Sequence, residues 1–165
     1  MATLLVSPTM SKTPCDHTSV GVLVWKKHEL LLIERKIFPV GFAAPAGHID
    51  GDATPEMAAA RELKEEVGLE AESLQLVWEG RLENPCSRPD GTWHYWYIYE
   101  ARVSGRLQPS PGETKQAGWY SKQDLVELGA KTERYIQEKI SEEEWQKNPG
   151  LELVWWEIFR KIILQ

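Results

Sequence analysis

Gly47-His48-Ile49-Asp50-Gly51-Asp52-Ala53-Thr54-Pro55-Glu56-Met57-Ala58-Ala59-Ala60-Arg61-Glu62-Leu63-Lys64-Glu65-Glu66-Val67-Gly68-Leu69 decides how the chain is read, because it holds a helix with a legible start and stop. Thr54 is a good N-cap, Pro55 suits the first helical position because its missing N–H would go unpaired there, and Glu56 favours the positive end of the helix dipole. Gly68 suits a left-handed C-cap. At about 100° per residue, Ala59, Ala60, Leu63 and Val67 share one face, while Glu62, Glu65 and Glu66 share another arc. One side is expected to pack and the other to present carboxylates.

Acids at i, i+3 and i+4 repel one another, and each like-charge pair destabilises a helix by about 0.2–0.5 kcal/mol. If the face is simply solvated, Arg61 and Lys64 offset part of that repulsion. The sharper alternative is a hard divalent cation, since carboxylate oxygens are what Mg²⁺ and Mn²⁺ select. Glu62 and Glu66 are one turn apart, a rise of roughly 6 Å, so their side chains can bracket one ion or a pair about 3.5–4 Å apart. Surface helices rich in Glu and Lys are common, so spacing alone leaves both readings open.

The wider pattern is more specific. Gly47 followed by Arg61-Glu62-Leu63-x-Glu65-Glu66-x-Gly68-Leu69 resembles the signature of the Nudix hydrolases. That signature runs Gly, five residues, Glu, seven residues, Arg-Glu-aliphatic-x-Glu-Glu-x-Gly-aliphatic, and eight of its nine specified positions match. The exception is Ala53, where the family has a Glu that braces the loop and the signature Arg; Asp52, one residue earlier, is the acid placed to substitute. Ala44-Pro45-Ala46-Gly47 resembles the Pro-Gly-Gly that leads into the signature, with Ala46 for the first glycine.

The resemblance covers roughly residues 18–128 and implies an α/β fold, an α/β/α sandwich with a mixed β-sheet. It implies Mg²⁺ or Mn²⁺ held by Glu62, Glu65 and Glu66, with a further acid supplied by a later loop about six residues before a Trp. Glu113, ahead of Trp119, occupies that place. One of these four carboxylates is expected to take a proton from the attacking water, and Arg61 to orient the acids by charge-assisted hydrogen bonds. Arg35 is placed beside the substrate mouth, and Gly47 allows close approach of backbone and ligand. Lys36 reads as readily as an ordinary strand-end charge.

A chain of 165 residues with 42% hydrophobic content suffices for one well-packed domain, here 17–165, preceded by a loose tail over 1–16. The net charge of −6 argues against a nucleic-acid polymer as partner, whereas a small anionic nucleotide remains open if metal supplies local positive charge. Cys15 and Cys86 form no metal-ligand spacing and no disulfide framework, which fits a reducing cytoplasm. The first residues lack a basic segment followed by an apolar core, and no apolar run approaches about 18 residues, so neither leader nor membrane span is expected.

Thr18–Trp25 and Leu30–Ile33 read as two strands of a β-hairpin across Lys26–Glu29. Leu74–Leu82 is a further strand, Pro85–Gly91 a turn-rich loop, and Thr92–Val103 a strand aromatic on both faces. One of those faces is expected to meet the core; the other is left to a ligand base or to a second copy of the chain in a homodimer. His94 within it reads as a hydrogen-bonded structural residue and is left out of the site. Ser121 with Asp124 starts a helix as a capping box, Thr132 and Ser141 read as N-caps of two short helices, and Glu144 would complete a box with Ser141. Leu151, Val154, Trp155, Ile158, Phe159, Ile162 and Ile163 form the stripe of a last helix docking on the core.

Function follows the resemblance: hydrolysis of the phosphoanhydride in a nucleoside diphosphate linked to another group. A nucleoside triphosphate and an ADP-ribose-like compound both fit. Pro85 lies sixteen residues after Leu69, where a proline recurs in the ADP-ribose-cleaving branch of the family, although it reads as plainly as a turn proline. The rival from another class is a nucleotide-binding sensor that kept the fold and lost turnover, a reading that rests on Ala53.

Overall fold

The structure is a computed structural model that describes residues 13–165. Of the expected tail, residues 1–12 lie outside the described residues, and 13–16 contain no helix or strand. The strands are β1 (Thr18–Leu23), β2 (Trp25–Lys26), β3 (Glu29–Arg35), β4 (Gly41–Ala43), β5 (Ala46–Gly47), β6 (Glu70–Leu82), β7 (His94–Ser104) and β8 (Thr114–Tyr120). The helices are α1 (Pro55–Val67), α2 (Lys122–Ile136), α3 (Glu142–Lys147) and α4 (Leu153–Ile162).

The expected mixed sheet is present, in the order β5-β1-β7-β6 with β1 and β7 parallel. A second, antiparallel sheet is built from β2, β3, β4 and β8, with β3 pairing to the other three. The anticipated hairpin shrinks accordingly. Trp25–Lys26 turns back onto Glu29–Leu30, but Thr18–Leu23 leaves for the other sheet and pairs with Thr18↔Tyr95 to Leu23↔Glu100 in register. The reason lies in its side chains: Ser19 to Leu23 are all buried, and a strand buried on both faces suits a covered parallel position better than a half-solvated hairpin arm.

β3 shows how the layers are assembled. Leu30 and Leu32 point into a cluster with Trp155, Ile158 and Phe159 of α4 and with Leu125 of α2. Leu31 and Ile33 point the other way, against Ala58, Ala59, Leu63 and Val67 of α1. The period of two along the strand thus sorts one side chain after another between two helical layers. Burying each such leucine or isoleucine contributes about 1.5–3 kcal/mol. Among the described residues, no helix is long and apolar enough to cross a membrane.

α1 is capped as its sequence demands: Thr54 Oγ1 accepts from the Met57 N–H at 3.1 Å, and Gly68 at φ 76° donates its N–H to the Lys64 carbonyl. Its packing face is shifted from the helical-wheel reading. Ala58 is buried where Ala60 was expected, and Glu66 sits on the buried side rather than among presented acids. Ser121 and Asp124 form the capping box of α2, and Ser141 caps α3. Thr132 is no cap. It lies inside α2, fully buried, with its hydroxyl 3.1 Å from the Leu128 carbonyl and 2.8 Å from that of Leu151. A threonine that bonds back four residues can stay within a helix, and here it also fastens α2 to the chain entering α4.

Candidate active site

A cavity of about 300 Å³ opens where the ends of the two sheets meet α1. Arg35 comes from the end of β3, Ala46 and Gly47 from β5, Glu62 and Glu66 from α1, and Glu113 from the loop before β8. The structure therefore gathers six residues from four separate segments around one space.

The acids divide by position. Glu66 is 4% exposed, and its Oε2 accepts the Ala46 N–H at 3.2 Å. Burial, opposed by Arg35, pushes its pKa up to about 8. Glu62 is raised to about 7 by burial, with Arg61 pulling the other way. Two carboxyls one helical turn apart are thus held where their charged forms lack adequate neutralisation from the protein. Glu113 is exposed at the cavity edge. Glu65 stands outside the cavity lining with its side chain 58% exposed, tied to Arg61 at 3.2 Å.

Gly47 permits this arrangement. A Cβ on it would fall 2.1 Å from Glu62 Cδ and Oε1, so the carboxyl occupies the space a side chain would take. Arg61 holds Glu62 from behind: Nη1 donates to Glu62 Oε1 at 2.8 Å, Nη2 to the His48 carbonyl at 2.9 Å, and Nε to Asp52 Oδ2 at 2.8 Å. Asp52 thereby takes the brace that Ala53, itself exposed, cannot provide. Arg61 does not line the cavity; it positions what does.

Several lining residues carried no legible signal. Glu152, just before α4, is 6% exposed and lies 3.9 Å from Arg35 Nε; burial raises its pKa to about 7 against the pull of that guanidinium. Arg88, in the loop between β6 and β7, reaches the cavity and makes a two-pronged contact to Asp50 at 2.6 and 3.0 Å. On the same wall, Cys86, His48 and His94 line the space, with Cys15 behind them. The pair of cysteines thus has metal-ligand spacing after all, in space rather than along the chain: one ligand atom from each of the four lies within 4.8 Å of the others. His94 is buried and hydrogen-bonded, its Nε2 3.3 Å from Cys15 Sγ, and its pKa is lowered to about 4 by burial and by His48. Of the aromatic strand, Trp96 borders the cavity while Tyr95 and Tyr97 pair with each other, 5.2 Å between ring centroids, away from it.

The model of the NUDIX domain matches residues 16–142. The chain belongs to the NUDIX family. This NUDIX chain is 32% identical over 113 residues to the NAD-capped RNA hydrolase NudC of Pseudomonas aeruginosa, a match that covers 68% of the chain but 38% of that relative. It is 41% identical over 59 residues to the RNA pyrophosphohydrolase of Pseudomonas fluorescens, covering 36% of the chain and 37% of the relative. Both relatives are therefore matched over well under half their length. Among solved structures, the MutT NUDIX hydrolase from Burkholderia pseudomallei superposes with a TM-score of 0.57 at 24% identity, covering 67% of this chain and 84% of that one, which bears out the α/β fold.

Proposed function

We propose that this NUDIX chain is a divalent-metal-dependent pyrophosphohydrolase acting on a nucleoside diphosphate linked to another group. The observation that carries the reading is the pair Glu62 and Glu66, half-buried and buried respectively, one turn apart against the Gly47 and Ala46 backbone. An all-oxygen donor set of this kind suits Mg²⁺ or Mn²⁺. Glu62, Glu66 and Glu113 would hold the metal. When bound, the metal neutralises the diphosphate and orients it for displacement.

The chain's own residues supply the rest. Arg35 offers its guanidinium to phosphate oxygens, and Arg88, whose paired donors are engaged by Asp50, adds positive charge to the same cavity. Phe38, 44% exposed at the rim, offers a ring face on which a base can stack. Arg61 fixes the orientation of Glu62, and a carboxylate of the cluster accepts the proton of the attacking water. Glu65, outside the lining, is placed to share Arg61 rather than to meet substrate.

The sensor reading rested on Ala53, and the Arg61–Asp52 bond supports treating that departure as compensated. Substrate choice is decided by a panel of nucleoside triphosphates, NAD, ADP-ribose and short RNAs carrying a 5′-triphosphate or a NAD cap, the last two motivated by the names of the relatives. Incubation with and without Mg²⁺, with products identified by mass, should yield a nucleoside monophosphate or pyrophosphate only with metal. Metal-dependent binding of a panel member without any product would favour the sensor.

A further inference from the structure

Four side chains from four separate segments converge beside the acids: Cys15 before β1, His48 after β5, Cys86 in the β6–β7 loop and His94 at the start of β7. Cys15 Sγ lies 3.3 Å from His94 Nε2 and 3.6 Å from His48 Nε2. In a tetrahedral site with Zn–S near 2.3 Å and Zn–N near 2.0–2.1 Å, neighbouring sulfur and nitrogen ligands stand about 3.6 Å apart. We propose that Cys15, His48, Cys86 and His94 bind a zinc ion in a closed, structural Cys₂His₂ site, distinct in chemistry from the carboxylate cluster.

The backbone is arranged for it. Each sulfur accepts an N–H from the residue two positions on, His17 to Cys15 Sγ at 3.3 Å and Arg88 to Cys86 Sγ at 3.4 Å. Such donors favour the thiolate that a metal needs, and at Cys15 offset part of the burial that raises the thiol. Gly91 lets the loop fold tightly over Cys86, since a Cβ there would meet its sulfur at 2.1 Å, and the Cys15 N–H bonds the Pro89 carbonyl at 3.1 Å. Cys15 and His94 are buried, and the guanidinium nearest the four groups, that of Arg88, is held away from them by its two bonds to Asp50. Two thiolates and two imidazoles select zinc over Mg²⁺, just as the neighbouring carboxylates select Mg²⁺ or Mn²⁺. Four protein ligands leave no open position, which makes the ion a clamp rather than a reagent. What it would clamp is the loop that carries Arg88, joined to the residues preceding β1 and to the chain that leads into α1.

The test uses the full chain, purified without a polyhistidine tag from zinc-supplemented culture and dialysed. Elemental analysis should find about one zinc per chain, and cobalt substitution should give a tetrahedral visible spectrum with a sulfur-to-cobalt charge-transfer band. Cys86→Ser and His94→Gln should each lose the zinc and the band, whereas Glu66→Gln should keep both. If a variant fails to fold, the zinc count and cobalt spectrum of the wild type still decide. Wild-type chain that retains no zinc and gives no tetrahedral cobalt spectrum would overturn the proposal. So would a Cys15–Cys86 disulfide in freshly isolated protein, or zinc retained in Cys86→Ser.

Discussion

Replacing Gly47 with alanine puts one methyl group where the Glu62 carboxyl now lies, 2.1 Å from Cδ and Oε1. Favourable carbon contacts begin near 3.5 Å, so the carboxyl must retreat by about 1.4 Å. The backbone at Gly47 has no positive φ, so alanine is not strained there and the whole effect runs through Glu62. A misplacement of about 1 Å in a reacting constellation costs on the order of 10²-fold in rate, or about 2.7 kcal/mol of barrier. Stability should change far less, because Glu62 ends a flexible side chain and a partly exposed ion pair such as its bond to Arg61 is worth only about 0.2–1 kcal/mol. Steady-state turnover of the best substrate in the panel, measured over a Mg²⁺ titration beside a thermal melt, should show a fall in kcat of about 10²-fold, a higher Mg²⁺ requirement and a nearly unchanged Tm. A folded Gly47→Ala chain with kcat within about threefold of wild type would refute the placement of Glu62 at the reacting centre.

Three further outcomes can be checked. Glu113→Gln should lower turnover while leaving metal-free stability within about 0.5 kcal/mol, since the residue is exposed at the cavity edge; an unchanged rate and metal dependence would reduce it to an ordinary loop acid. Ala53→Glu should be tolerated, with Tm unchanged or slightly raised and activity at least that of wild type, because position 53 is exposed just before the N-cap and Asp52 already holds Arg61; a clear loss of stability would show that residue 53 is misjudged. Glu152 has its pKa raised to about 7, so the stability it contributes is complete below the unfolded value near 4.3 and is lost as pH rises through about 7. Glu152→Gln should remove its share of that slope in metal-free protein, at most about 3 kcal/mol between pH 5 and pH 8, leaving the shares of Glu62 and Glu66; wild-type and variant stabilities that run parallel across that range would contradict it.

α1 was legible because its signals are local: Thr54, Pro55 and Gly68 act within a turn of their own positions. The sorting of its acids was not, because whether Glu62, Glu65 or Glu66 faces the cavity depends on β5 and on the bonds of Arg61. Thr132 misled for the same reason, since an N-cap and a back-bonded helical threonine look alike until Leu151 is packed against it. The run Thr18–Leu23 reads as a strand from its β-branched residues, but its partner is set by the distant β7. Cys15, His48, Cys86 and His94 share no periodicity or motif, and only the crossing of their four segments brings them together.

The most direct single measurement is the release of nucleoside monophosphate or pyrophosphate from the substrate panel by wild type and by Glu66→Gln, each with and without Mg²⁺. Glu66→Gln keeps the shape of the buried side chain and removes its charge, so metal-free stability should hold or rise. Product should form only with Mg²⁺, at a rate lowered by at least about 10²-fold in the variant. Turnover that proceeds without metal, or that survives Glu66→Gln near the wild-type rate at limiting Mg²⁺, would contradict the assignment of Glu66 and its neighbouring glutamates as the metal-holding centre.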